Sequence, residues 1–159
     1  MKYYKAILFC DLDGVLADCG HRLHYAEEGN KDKFYSKEEI LKDRPIAEGY
    51  ELVQMFVDRD YKVIFVSSRR ESCREATVEF LSKIDSRLAG CEIYLKPAGD
   101  DREAYEVKKD LLSDATLKNH ELFVNGDHYF LDDYSKNCEM VRNVYKGVIT
   151  PIHFCRKMR

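Results

Sequence analysis

No apolar run in this 159-residue sequence is long enough to cross a bilayer; the longest, such as Ala6 to Cys10, are only strand-sized. The N-terminus leads almost directly into a strand-like run, without a signal-peptide hydrophobic region and its small-residue cleavage site. Neither sign of charge dominates, because 26 Lys and Arg stand against 29 Asp and Glu, for a net charge of −3. That balance argues against disorder and against a protein that coats nucleic acid by bulk charge alone, and leaves room for a local basic groove. No CxxC pair occurs among Cys10, Cys19, Cys73, Cys91, Cys138 and Cys155. Their scatter, with several inside apolar segments, fits free thiols in a reducing, cytoplasmic compartment better than three disulfides. Internal repeats and low-complexity linkers are missing as well. What remains is one domain's length, residues 1–159, enough to hide roughly 70% of the chain's surface on folding.

Strand-like and helix-like segments alternate throughout. Lys5 to Leu12 and Tyr61 to Ser67 are apolar and β-favouring; Cys91 to Leu95, Tyr129 to Leu131 and Gly147 to Ile152 are weaker strands. Between them, Ile46, Gly49, Val53, Phe56 and Val57 form one helical stripe, and Cys73, Thr77, Phe80, Leu81 and Ile84 another. Val107, Leu111 and Leu112 mark a third, and Cys138, Val141, Arg142 and Tyr145 a fourth. This alternation predicts an α/β protein with right-handed crossovers around a central parallel sheet. Residues 17–44 interrupt it. They are polar, aromatic and charged, and too long for an ordinary strand-to-helix loop, so they are expected to form a small cap over the carboxyl edge of the sheet.

Asp11 and Asp13 close the first apolar strand in the run Phe9-Cys10-Asp11-Leu12-Asp13-Gly14-Val15-Leu16. Two residues apart in extended chain, they point to one side, a costly arrangement unless a cation or proton compensates. Asp132-Asp133 follow Tyr129-Phe130-Leu131 in the same way, although alone they could equally be a helix cap. In one parallel sheet the two pairs would converge into an oxygen-rich site suited to Mg²⁺. Ser67, leaving a strand towards a helix, is either a phosphate-binding hydroxyl or a plain N-cap. Lys108 is read as opening the helix after Gly99-Asp100-Asp101-Arg102.

Taken together, Asp11-Leu12-Asp13-Gly14-Val15, Ser67, Lys108 and Asp132-Asp133 resemble, in order and strand context, the four motifs of the haloacid dehalogenase-like (HAD) phosphohydrolases. The resemblance runs from about Ala6 to Phe154. It extends to the 3′-phosphatase domain of bacteriophage polynucleotide kinase and its stand-alone phage and bacterial relatives. Arg22 in His21-Arg22-Leu23-His24, Asp43-Arg44-Pro45-Ile46, Val66-Ser67-Ser68-Arg69 and Lys96-Pro97-Ala98-Gly99-Asp100-Asp101-Arg102 carry that closer likeness. Two positions depart from it: Ser68 replaces a glycine, and Ala104 stands where the bacteriophage enzyme has an acidic residue. A GxxxxGK motif followed by Ser or Thr is missing, so no fused kinase domain is expected.

The resemblance implies a HAD-like Rossmannoid three-layer fold and a two-step phosphoryl transfer through an aspartyl-phosphate. It implies Asp11 as nucleophile, Asp13 as general acid and base, and Ser67 and Lys108 as phosphate and charge partners. Mg²⁺ would be held by Asp11, the Asp13 backbone carbonyl and the motif-four acids, Asp132 ahead of Asp133. Arg22, Ser68, Arg69 and Arg102 would line the substrate cleft. Tyr25, Phe34 and Tyr35 could stack a base or form the cap's own core, and His21 and His24 are expected to pack or lie at the surface. The substrate implied is a nucleic acid 3′-phosphate end. A 5′(3′)-nucleotidase acting on mononucleotides is the enzymatic alternative, since Asp11-Leu12-Asp13-Gly14-Val15-Leu16-Ala17-Asp18 also resembles the deoxyribonucleotidase motif. A phosphate-sensing module is a third possibility, opposed by Asp13, which serves turnover.

Overall fold

The computed structural model describes residues 2–156. In chain order it contains β1 (Ala6–Cys10), β2 (Ala17–Asp18), α1 (Leu23–Glu27), α2 (Lys31–Phe34), α3 (Lys37–Ile40), β3 (Arg44–Pro45), α4 (Ala47–Val57) and β4 (Tyr61–Arg70). There follow α5 (Arg74–Ile84), α6 (Ser86–Ala89), β5 (Glu92–Lys96), α7 (Ala104–Lys118), α8 (His120–Val124), β6 (His128–Asp132), α9 (Ser135–Val144) and β7 (Ile149–His153). Five strands form one sheet in the order β5-β4-β1-β6-β7, with every neighbouring pair parallel.

The layers follow from side-chain alternation along the buried strands. Leu8 and Cys10 of β1, with Val63 and Phe65 of β4, face the cluster that contains Val53 of α4 and Phe80 and Leu81 of α5. Ile7 and Phe9, with Ile64 and Val66, face Val107, Leu111 and Leu112 of α7 and Cys138 and Val141 of α9. The helical stripes read from the sequence are therefore the core faces of these four helices, except that Arg142 of the fourth stripe is exposed. Two details differ from the sequence reading. β4 continues through Arg70 instead of stopping at Ser67, so Ser67 is a strand residue and caps no helix. Helix α7 begins at Ala104, which puts Lys108 on its second turn.

The turn after β1 is tightly held. The Leu12 carbonyl accepts the N–H groups of Val15, Leu16 and Ala17, and Leu12, Val15 and Leu16 are fully buried. Helix α4 packs directly on this turn: a Cβ on Gly49 would lie 1.7 Å from the Val15 carbonyl oxygen, so only glycine permits the approach. Residues 17–44 leave and re-enter through an antiparallel pairing of β2 with β3, and between these strands lie α1, α2 and α3. The six cysteines are unpaired; Cys10, Cys73 and Cys138 are buried, Cys19 and Cys91 partly so, and Cys155 is exposed.

Candidate active site

Because the strands of the main sheet all run one way, residues leaving them meet along a single edge. Asp11 leaves β1, and its N–H donates to the Leu131 carbonyl of β6 at 2.9 Å, which fixes it beside Asp132 and Asp133. Lys108, buried on α7, reaches the same point from below: its Nζ lies 2.9 Å from Asp11 Oδ1 and 2.6 Å from Asp132 Oδ2. Asp132 is fully buried and also accepts the Tyr134 N–H at 2.9 Å, with Asn137 Nδ2 at 3.2 and 3.3 Å from its two oxygens. Carboxylate oxygens of Asp11, Asp132 and Asp133 lie within 4.8 Å of one another.

Gly14 completes the arrangement. Its φ is +83°, and a Cβ there would stand 1.8 Å from Asp133 Oδ2, so the absent side chain is the space the carboxylate occupies. A cavity of about 440 Å³ opens over the group, lined by Asp11, Asp13, Asp133, Lys108 and Ser68, with Leu23, Phe34 and Tyr35 contributed by residues 17–44.

The charges do not balance. Burial and then Asp132 push the Asp11 carboxyl well above the usual carboxylate range, despite Lys108. Burial and Asp132 raise Asp133 in the same way. Burial opposes the charge on Lys108, yet Asp11 and Asp132 hold its ammonium protonated above the ordinary lysine value. Three carboxylates gather at one buried lysine, which pairs with Asp11 and Asp132, and the donors are all hard oxygens. Such a set fits a divalent cation of the Mg²⁺ type.

A second network lies beside the first. Arg22 grips Asp43 bidentately, Nε to Oδ1 and Nη2 to Oδ2 both at 2.8 Å, and reaches Asp13 Oδ1 at 3.0 Å. Arg69 reaches the same Asp13 oxygen at 2.6 Å and Asp43 Oδ2 at 3.0 Å, and donates to Thr77 Oγ1 at 3.0 Å. Both guanidinium groups are buried. Burial alone would raise the Asp13 pKa, but Arg69 and then Arg22 outweigh it and hold the carboxyl below its usual range.

The fold thus brings together Asp11, Asp13, Lys108, Asp132, Asp133 and Ser68. Ser67 is buried beside them, its Oγ accepting the Arg69 N–H at 3.1 Å. Arg22 and Arg69 sit under Asp13 with their donors on protein acceptors. Arg102 stays apart, exposed and paired with Asp100 and Asp110. Phe34 is buried under the Arg22 guanidinium, which lies 4.4 Å from the ring centroid, so it belongs to the core of the insertion. His21 packs through a 3.0 Å hydrogen bond to the Glu39 carbonyl. Three contributors gain no site role from a reading of sequence alone: Asp43, Thr77 and Asn137. Asp43 closes a charged stretch, Thr77 looks like one more position of a helical stripe, and only the spacing of Asn137, five residues after Asp132, hints at its contact.

A sequence-family model described as the polynucleotide kinase PNKP phosphatase domain matches residues 5–150. Among solved structures, the chain is similar to one in a Pnkp1/Rnl/Hen1 complex, with 22% identity and a TM-score of 0.68 over 97% of this chain and 47% of that one. A second, from the Pnkp1/Rnl/Hen1 RNA repair complex, gives 23% identity and 0.70 over 95% and 42%. A class C acid phosphatase from Bacillus anthracis with tungstate bound gives 16% identity and 0.55 over 94% and 67%. The chain spans less than half the length of the first two structures it matches. No curated protein matches it significantly.

Proposed function

The chain belongs to the polynucleotide kinase phosphatase-domain family and is a HAD-type phosphatase; on that premise we propose that it removes the 3′-phosphate from a nucleic acid end through an aspartyl-phosphate on Asp11. The observation that carries this reading is the convergence of Asp11, Lys108 and Asp133 on one cavity, with Asp132 buried against them. In the first step an Asp11 oxygen bonds to phosphorus, the bond from phosphorus to the 3′-oxygen breaks, and Asp13 delivers a proton to the departing alkoxide. In the second step Asp13 takes a proton from water, which attacks phosphorus and releases phosphate from Asp11. Proton transfer of this kind contributes about 10²–10⁴-fold.

Asp13 starts ionised under its two arginines, the state needed for the second step. For the first step Asp13 takes up a proton from solvent as the phosphate dianion binds beside it and raises its proton affinity. Asp11, Asp133 and the Asp13 main-chain carbonyl would hold the divalent cation, Mg²⁺. Asp133 is preferred to Asp132 because it lines the cavity, whereas Asp132 is buried and already accepts hydrogen bonds at both oxygens. When bound, the cation neutralises charge shared between the carboxylates and the phosphate. Lys108 keeps Asp11 oriented and cancels part of its charge. Ser68, which lines the cavity, and Ser67, buried next to it on the strand, would donate hydroxyl hydrogen bonds to the phosphate. Arg22 and Arg69 orient Asp13, while Arg102 would meet the nucleic acid outside the cavity. Residues 17–44 act as a cap within a single domain.

The test is phosphate release in Mg²⁺ from 3′-phosphorylated DNA and RNA oligonucleotides, a mononucleotide and p-nitrophenyl phosphate. Efficient turnover of the oligonucleotides supports the proposal. Efficient turnover of the mononucleotide alone would replace it with a nucleotidase, and an aspartyl-phosphate that persists for minutes would replace it with a phosphate sensor.

A further inference from the structure

Beside the cavity at Asp11, the same sheet edge carries a second depression of about 380 Å³, where Lys31 of α2, Arg70 at the end of β4 and Lys96 at the end of β5 come together. The acids at its rim are largely engaged elsewhere. Asp100 pairs with Arg102, and Glu71 with Arg74, while Asp101 is exposed at the rim. Arg70 is paired only from outside, by the exposed Asp32 at 2.7 Å. Among the described residues, no ion pair of this kind holds Lys31 or Lys96. Burial, followed by Lys31 and Arg70, keeps the Lys96 ammonium below the ordinary lysine value, and the nearby Asp100 and Asp101 do not offset them.

The two depressions are joined through one ring and one strand. The Arg70 guanidinium lies 5.0 Å from the centroid of Tyr35, and Tyr35 lines the cavity that contains Asp11. Ser68, two residues before Arg70 on β4, lines that cavity too. A ligand whose terminal phosphate sits at Asp11 and whose chain passes Tyr35 therefore meets Lys31, Arg70 and Lys96 next.

We propose that Lys31, Arg70 and Lys96 form a subsite for an internal phosphodiester of the strand whose terminal phosphate is removed, so that the protein favours a polynucleotide end over a mononucleotide. The inference rests on the phosphatase reading above. A nucleoside monophosphate has no second phosphate to place there and gains nothing from the subsite, whereas a strand gains a charge contact that salt weakens.

The experiment measures kcat/KM for a short 3′-phosphorylated oligonucleotide and for the matching nucleoside 3′-monophosphate, at several salt concentrations, with wild type and a Lys31→Ala, Lys96→Ala double variant. The expected result is a fall of about tenfold in the oligonucleotide-to-mononucleotide ratio, carried by KM, and a salt dependence shallower by about one contact. A Lys31→Arg, Lys96→Arg variant should keep the wild-type ratio. If wild type turns over both substrates and the alanine variant leaves ratio and salt slope unchanged, the subsite is wrong and the phosphatase reading stands. If wild type releases phosphate from neither, the phosphatase reading fails and the subsite falls with it.

Discussion

At Gly14 the absence of a side chain is a functional feature, since Asp133 Oδ2 occupies the space that a Cβ would take. Gly14→Ala meets two obstacles, the positive φ and the carboxylate itself, and must push Asp133 away from Asp11. The expected outcome is a folded protein that has lost its divalent-cation response, checked by thermal melts with and without Mg²⁺. Lys108 poses the converse problem, being a buried cation in contact with both Asp11 and Asp132. Lys108→Met leaves these carboxylates uncompensated and is expected to lose turnover together with about 3–5 kcal/mol of stability. Added Mg²⁺ should restore more stability to this variant than to wild type. Urea titrations in both conditions decide it, and equal stability of variant and wild type would show that the lysine does not hold the acids together.

Among the elements, β6 is tied to its neighbours by more than its ladders. His128, buried at its start, accepts the Ile7 N–H of β1 at Nδ1 (3.0 Å) and donates from Nε2 to the Phe123 carbonyl of α8 (2.6 Å). This pair of bonds requires the neutral ring, and burial holds its pKa below the ordinary 6.5. The unfolded chain therefore binds more protons than the folded one just below that value. Its stabilisation is complete above pH 6.5 and is lost as the pH falls towards the folded-state value. Urea midpoints from about pH 7.5 to about pH 5 should fall more steeply in wild type than in His128→Gln, and equal slopes would exclude His128 as the cause.

The principal strands and the four long helices could be read from the sequence because each has a period the core enforces: continuous burial for β1, and stripes for α4, α5, α7 and α9. Residues 17–44 resisted, since α1, α2 and α3 are each only four or five residues long and too short to show a period. The carboxylate pairs were legible because acids at strand ends of one parallel sheet must meet. The buried network of Asp13, Arg22, Asp43 and Arg69 was not, because a buried ion pair and a solvated one look alike in sequence. For the same reason Arg22 and Arg69 read as cleft residues, although their donors point into protein.

For the whole molecule, folding gathers three acids beside one lysine into a cluster able to hold a divalent cation, which the extended chain does not have. Binding to the folded state alone stabilises it by about 2.7 kcal/mol when free cation reaches a hundredfold over Kd. Mg²⁺ should therefore raise Tm in a concentration-dependent way, and EDTA should reverse the rise. A Tm indifferent to Mg²⁺ in wild type would remove the cation from the proposed chemistry. The most direct measurement remains an acid quench of the protein turning over a 3′-radiolabelled oligonucleotide, followed by mapping of label on the chain, beside Asp11→Asn. The expected result is label on the peptide that contains Asp11, and in the folded Asp11→Asn variant neither label nor phosphate release. Undiminished phosphate release by Asp11→Asn would contradict the covalent route.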